Sequence, residues 1–447
     1  MQCGPTVGGV LSAVPVRHAY VHVPFCASIC PFCSFHVKVR EAGDVAAYLD
    51  RLEEELAEIV AVVPVDLDTL YVGGGTPSYL RTAELARLWE MVERHLGRPR
   101  REATLEVHPS TATASRVRHW VELGFTRLSI GAQSFDDEVL RRLGRTHSGA
   151  DALACIEWAL AAAQVTSVDL MMPTAGQDVS ADVRRAVATG AQHISVYALT
   201  IEPGTPFAMD GVRVDDGGAA EALSAAADLL GAAGFERYEV SNYARPQARC
   251  LHNQAYWAVA PSLGIGPSAS GVVCCDDGSL IRWTNPTLDR WRVARSPLMV
   301  IESDRDARSD GGGSVEHVHG EDLMRDLLMC GLRRVDGVDL DEVTRRSGVD
   351  PRDVRRSELA HLSDDALVDI DGALLAATDR GRLLLDQVTV ALWFPGARGA
   401  IPRDQILARA EYLGTFHFSI CGQLGETRWH GVGDWVATRH ARKRRRV

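Results

Sequence analysis

Tyr20-Val21-His22-Val23-Pro24-Phe25-Cys26-Ala27-Ser28-Ile29-Cys30-Pro31-Phe32-Cys33-Ser34-Phe35 decides how this chain is read. Cys26, Cys30 and Cys33 have three and then two residues between them, in a loop stiffened by prolines and made apolar by aromatic rings. Three thiolates can ligate three irons of a 4Fe–4S cube and leave the fourth iron without a protein ligand. An open iron beside a cradled cofactor is a reactive centre, whereas four protein ligands make mainly an electron carrier. The spacing alone also fits a zinc knuckle completed by His36, or three buried thiols packed as small apolar side chains. A disulfide scaffold does not fit, because ten cysteines in 447 residues are too dilute.

Outward from that loop, the chain is long enough to bury a large core with one or two smaller units beside it. Its 48 basic and 59 acidic residues give a net charge of −11, which argues against a general nucleic-acid surface. No run of 18 apolar residues stands out, and the first 17 residues lack a signal peptide's order, so the cytoplasm is the expected address and no membrane partner is expected.

Periodicity sets out alternating elements. His18–Val23 reads as a strand delivering the cysteines, and Asp44–Val62 as an amphipathic helix with Ala46, Leu49, Leu52, Leu56 and Ile59 on one face. Strands are expected at Asp66–Val72, Ala103–Val107, Thr126–Gly131, Ser167–Met172 and His193–Leu199, with helices between them. Such alternation implies a parallel sheet, with ligands gathered at the carboxyl ends of its strands. Gly73-Gly74-Gly75 follows a strand and precedes a helix, where backbone without Cβ atoms lets a ligand come close. Boundaries follow: a flexible leader over 1–17, the main α/β unit over 18–245, an extension carrying pocket residues over 246–302, and a polar linker over 303–320. A small, mostly helical, winged-helix-like domain over 321–392 would cover the open side, ahead of a tail over 393–447 that ends in a basic run of no assigned role.

Cys-x3-Cys-x2-Cys followed by an aromatic, within Tyr-Val-His-Val-Pro-Phe-Cys, resembles the radical S-adenosylmethionine (SAM) superfamily. The wider phrase resembles its oxygen-independent coproporphyrinogen III oxidase (HemN/HemW-like) branch, which also holds haem chaperones and class C radical SAM methyltransferases. The resemblance implies a partial (β/α)6 barrel, cluster ligation by Cys26, Cys30 and Cys33, and SAM chelated to the open iron. It also implies SAM contacts from Tyr20, Phe32, Gly73, Gly74, Gly75, Thr76, Glu106, Gln133, Arg145, Asp169 and Ile265. Tyr238 and the phrase His252-Asn253-Gln254-Ala255-Tyr256-Trp257 give candidate substrate or haem contacts at Tyr238, His252, Tyr256 and Trp257; the alternative for these is structural packing.

The chemistry so implied is one-electron cleavage of SAM to a 5′-deoxyadenosyl radical, with a flavodoxin or ferredoxin as electron donor. Phe35 stands where the oxidase has a fourth cysteine, which demotes porphyrinogen decarboxylation. Met172-Pro173-Thr174-Ala175-Gly176-Gln177 and Gly266-Pro267-Ser268-Ala269-Ser270-Gly271 depart from the haem chaperones' phrases. Read as pocket-facing turns, they favour carbon methylation or cyclopropanation of an unsaturated natural-product precursor of the kind found in antibiotic biosynthesis. That reading uses a second SAM molecule and allows a partner methyltransferase. Retention of His252–Trp257 favours the alternative, a haem chaperone.

Overall fold

Val16–Val23 (β1) is buried along most of its length, as a strand covered on both faces must be. The computed structural model describes residues 11–214, 216–301 and 313–394. After β1 come α1 (Asp44–Val62), β2 (Val65–Gly74), α2 (Thr82–Leu96), β3 (Glu102–Val107), α3 (Ala114–Leu123), β4 (Arg127–Gln133), α4 (Gly149–Ala162), β5 (Val165–Met172), α5 (Val179–Ala188) and β6 (His193–Ala198). The six strands lie parallel in sequence order, a partial (β/α)6 barrel as expected. Each predicted strand forms, most of them a residue or two longer than the periodicity suggested.

The sheet does not stop at six. After α6 (Asp216–Ala232), β7 (Glu236–Arg237) and β8 (Asn242–Ala244) add antiparallel strands beyond β6. After α7 (Leu251–Trp257), β9 (Ser262–Ile265) pairs parallel with β1. Then β10 (Ser270–Cys274), β11 (Leu280–Thr284) and β12 (Ser314–Val318) continue outward as antiparallel neighbours. The order is therefore β12-β11-β10-β9-β1-β2-β3-β4-β5-β6-β8-β7.

The C-terminal unit contains α8 (Gly320–Gly331), β13 (Val338–Asp339), α9 (Leu340–Ser347), α10 (Arg356–Asp364), β14 (Val368–Asp371), β15 (Leu374–Ala377) and α11 (Leu385–Trp393). Its helices and small antiparallel sheet enclose a core that also takes in Trp257, Val259, Val272 and Leu280 from the extension. It packs on the segment around α7: Arg346 donates to the Ala258 and Val259 carbonyls, and Val335 N–H donates to Tyr238 O.

Several expectations need correcting. The described part of the leader, 11–17, is tied to the sheet, since Leu11 bridges Cys275 and Val16 opens β1. Within the expected linker, Ser314–Val318 is an edge strand, in antiparallel register with Leu280–Thr284 along its whole length, and Arg282 reaches Glu316. On α1, Ala46 is exposed, and Val45 and Tyr48 join Leu49, Leu52, Leu56 and Ile59 on the buried face. The remaining leader residues, 303–312 and the tail beyond 394 lie outside the described residues. Among the described residues, no helix is long and apolar enough to cross a membrane.

A buried carboxylate ties α1 to the segments that follow β9 and β11. Glu55 on α1, 0% exposed, accepts from Gly266 N–H at 2.8 Å, Asn285 Nδ2 at 2.7 Å and Trp291 Nε1 at 3.0 Å. Burial pushes its pKa up to about 7, against the pull of these donors and Arg51. A carboxyl whose folded pKa lies above its unfolded value of 4.5 contributes stability that is complete below about pH 4.5 and lost as pH rises towards about 7. Glu55→Gln turns an amide NH2 towards N–H donors and is expected to cost about 1–3 kcal/mol. It should also flatten the fall in melting temperature over that pH range; an unchanged melting profile would show that the clasp carries no stability.

Candidate functional site

Backbone hydrogen bonding between β1 and β2 continues past the strand ends. Gly75 N–H donates to Val23 O at 2.8 Å and Thr76 N–H to Phe25 O at 2.9 Å, so the cysteine loop and the glycine turn are zipped together. Gly74 has φ +111°, and a Cβ there would lie 2.6 Å from His22 Nδ1; at Gly75 it would lie 3.0 Å from Cys26 Sγ. Gly74 needs glycine, and a side chain at Gly75 would press on Cys26 Sγ and the Phe25 backbone. His22 is buried, with Nδ1 3.1 Å from the Tyr20 hydroxyl and Nε2 2.9 Å from the His36 carbonyl, which ties the end of the cysteine loop back to the strand that starts it.

The strand ends and their loops enclose a cavity of about 220 Å³. It is lined by Cys26, Cys30, Phe32, Cys33 and Phe35 from the first loop, and by Gly74, Gly75 and Thr76 from the second. Glu106, Gln133, Arg145 and Asp169 come from the next three units. Eleven of the predicted cluster and cofactor residues thus meet at one place. Tyr20, Gly73 and Ile265 do not line it: Tyr20 stands against Tyr71, Gly73 makes room for the Glu106 carboxyl, and Ile265 is wholly buried beside Val21.

Charge and hydrogen bonding in the cavity are fixed by neighbours. Glu106 accepts from the Tyr71 hydroxyl at 2.9 Å and Gly74 N–H at 3.0 Å; burial pushes its pKa up to about 7. Asp169 accepts from Ser195 at 2.7 Å and Ser129 at 2.9 Å, and burial raises its pKa despite those hydroxyls. Arg145 extends Nη1 to Cys30 Sγ at 3.6 Å and Nη2 to Gly131 O at 2.9 Å. The residue before it, Gly144, has φ +66° and faces Pro31 so closely that a Cβ would lie 2.4 Å from Pro31 Cδ.

Three observations bear on what the thiols can hold. Their three sulfurs do not all lie within 4.8 Å of one another, whereas thiolates on one zinc ion lie about 3.8 Å apart. His36 is not aimed at them, since its Nε2 accepts from Leu288 N–H at 2.9 Å. Burial raises Cys26 and pushes Cys33 up to about 11, so stable thiolates there require added positive charge. Beside them, Gln133 Oε1 and Arg145 Nε are buried without a partner. A cube spanning the thiols, with a polar cofactor against these orphaned groups, fits the donor set; one zinc ion does not. Cys275, Asp277 and His317 form a tighter set, but the Ser279 hydroxyl stands between the last two, 2.5 Å from Asp277 and 2.6 Å from His317.

The residues proposed to touch substrate or haem lie below the cavity. His252 is 2% exposed, with Nδ1 2.9 Å from Thr69 Oγ1 and its ring behind Tyr71. Trp257 Nε1 donates to buried Glu239 at 3.0 Å, Tyr256 packs edge-on against Trp257, and Tyr238 is 3% exposed. Neither Met172–Gln177 nor Gly266–Gly271 lines the cavity; Gln177 is turned to Met171 O and Asp182. Among the described residues none beyond Tyr197 lines it, those of the C-terminal unit included.

Sequence reading missed Tyr71, Ser129, Met171 and Tyr197, which line the cavity. Two-residue alternation from Asp169 gives Met171, and the same step along β6 links Ser195 to Tyr197. It also missed His108, which accepts from Ser110 N–H through Nδ1 at 3.2 Å; burial, then Arg145 and His147, push its pKa down to about 2.

A family profile for the radical SAM superfamily matches residues 20–181, and one for the HemN C-terminal domain matches 318–384. The heme chaperone HemW of Mycobacterium tuberculosis (strain H37Rv) is 34% identical over 392 residues, covering 83% of this chain and 94% of that protein. HemW of Escherichia coli K12 is 35% identical over 280 residues, covering 61% and 74%. The solved structure of coproporphyrinogen III oxidase (HemN) from Escherichia coli superposes with a TM-score of 0.70 at 22% identity, over 85% of this chain and 91% of that one. The chain belongs to the radical SAM superfamily, in its HemN/HemW-like branch. Membership implies a 4Fe–4S cluster and SAM.

Gly74→Ala places a Cβ into the His22 ring in a left-handed backbone and is expected to cost about 1–3 kcal/mol. Iron and sulfide per chain after anaerobic reconstitution should fall with it, while an alanine at Gly97, where a Cβ meets nothing within 4 Å, leaves cluster content unchanged. Equal cluster content in wild type and Gly74→Ala would show that this close approach does not shape the site.

Proposed function

We propose that this chain is a radical SAM protein that binds haem, as its relatives' name describes, rather than one that methylates or cyclopropanates a natural-product precursor. The observation that carries this reading is the 34% identity maintained over 94% of the mycobacterial heme chaperone HemW. Met172–Gln177 and Gly266–Gly271, the turns that would favour a different substrate if they faced the pocket, do not line the cavity.

In this reading Cys26, Cys30 and Cys33 hold the cluster. When bound, the cluster and SAM supply a one-electron cleavage of the SAM sulfonium. Arg145 sets its guanidinium beside Cys30, with Nη1 3.6 Å from the sulfur. Glu106 fixes the glycine turn through Gly74 N–H, so that the backbone of Gly74–Thr76 faces the ligand. Asp169 offers a carboxylate oxygen to hydroxyls, while Phe32, Met171 and Tyr197 give the wall apolar surface that excludes water. Haem iron reaches His252 only if the segment around α7 lifts away from Thr69, since the ring is otherwise covered.

Anaerobically reconstituted protein separates the readings. Titration with haem should give saturable binding near one equivalent, and dialysis with SAM near one equivalent of SAM. S-adenosylhomocysteine should not form with unsaturated acceptors under reductant. Two equivalents of SAM, with 5′-deoxyadenosine and S-adenosylhomocysteine made together and no haem bound, would overturn the proposal in favour of methyl transfer. In His252→Ala, unchanged haem affinity with a lower melting temperature is expected from the burial of the ring. Lost haem affinity at an unchanged melting temperature would show that the α7 segment opens to ligate haem.

A further inference from the structure

Asp169 is the cavity carboxylate most enclosed by hydroxyls, one from each of three neighbouring strands. Ser129 on β4, Ser167 on β5 and Ser195 on β6 all point at it, with Ser167 the most distant at 3.5 Å from Oδ1. Behind Ser167 the chain of contacts continues downward. Ser167 Oγ lies 2.6 Å from His193 Nδ1, His193 Nε2 lies 2.8 Å from the Tyr238 hydroxyl, and Cys250 N–H donates to that hydroxyl at 3.2 Å. Ser167, His193, Tyr238 and Cys250 are each at most 3% exposed.

Hydrogen accounting gives the chain one direction. The Tyr238 oxygen accepts from Cys250 N–H. If it also accepted from His193 Nε2–H, its own hydrogen would have no acceptor in a buried position. The Tyr238 hydroxyl therefore donates to His193 Nε2, His193 carries its proton on Nδ1 and donates to Ser167, and the Ser167 hydrogen is left to Asp169. Every donor in the series points towards the cavity. Burial, together with the charge of Arg127, keeps His193 neutral, which the two-way use of its ring requires.

We propose that Tyr238 and His193 are positioning residues that act on Asp169 through Ser167, holding its carboxylate in one orientation with the outward lone pairs free for the hydroxyls of SAM. The proposal rests on Asp169 contacting SAM. It gives Tyr238 a role without contact to substrate or haem, and it makes the barrel floor part of the cofactor site. Aligned donors polarise one another, so removing the far end weakens the near one.

Equilibrium binding of SAM to anaerobically reconstituted, cluster-loaded protein tests it, with iron content and melting temperature measured on every variant. Tyr238→Phe keeps the ring and removes the donor; Ser167→Ala breaks the chain next to the carboxylate. Each is expected to raise the Kd for SAM by about three- to tenfold, and the double variant by no more than the larger single effect. A merely structural role would lower the melting temperature without this coupling in Kd. Asp169→Asn is the reference and should weaken SAM binding at least as much. If Asp169→Asn weakens binding but Tyr238→Phe does not, or if the two single effects multiply in the double variant, the positioning chain is overturned. If Asp169→Asn binds SAM like wild type, the contact between Asp169 and SAM is wrong, and the proposal falls for that separate reason.

Discussion

Two backbone hydrogen bonds, from Gly75 to Val23 and from Thr76 to Phe25, hold the rest of the site in register. They extend the pairing of β1 with β2 beyond the sheet and into the two loops that must meet over the cavity. The extension needs a left-handed residue at Gly74 and no side chain between Gly75 and Cys26. His22 then braces the far end of the cysteine loop, and Glu106 braces the glycine turn from the neighbouring strand. Positions of the thiols are thus set by main-chain geometry and by groups that never touch iron.

The barrel interior departs from an oily core because it has work to do at its upper end. Arg127 and Glu102 pair at 2.9 Å, nearly inaccessible, and Nη2 of Arg127 donates to the Ala248 and Arg249 carbonyls. Glu102 also accepts from the Cys250 thiol and His252 N–H. Such a pair is weak evidence for stability, since desolvation offsets most of the attraction. Its effect is specificity of place: it anchors the segment that closes the barrel from below, and that segment supports Tyr71 in the cavity wall and Tyr238 beneath it.

Much of this was legible in the sequence. Strand–helix alternation pointed to the parallel sheet, the family resemblance to the partial barrel, and the family phrases brought eleven residues to one cavity. What failed did so for identifiable reasons. Aromatic and imidazole side chains at His252, Trp257 and Tyr238 have the chemistry of a ligand-binding surface, yet the same groups satisfy buried partners, and only their surroundings distinguish the two. The turns at Met172–Gln177 and Gly266–Gly271 follow strands as the cavity loops do, but Gln177 turns back to Asp182, and Gly266 is taken up by Glu55. Ala46 was placed on the wrong face of α1 because alanine fits either side of an amphipathic helix. Ser314–Val318 looks like linker because edge strands carry polar residues.

Among the described residues, all those lining the cavity come from the first 197 positions, while the floor segment and the C-terminal unit follow. Proteins are made from the N-terminus onward, so this layout sets an order of assembly. Every thiol and strand-end group of the site leaves the ribosome before α7 exists to plug the barrel, and the buried pair of Glu102 and Arg127 waits for its carbonyl partners until then. The nascent chain passes through a stage with the mouth of the barrel complete and its base open, and the last half of translation serves to lock a site already built.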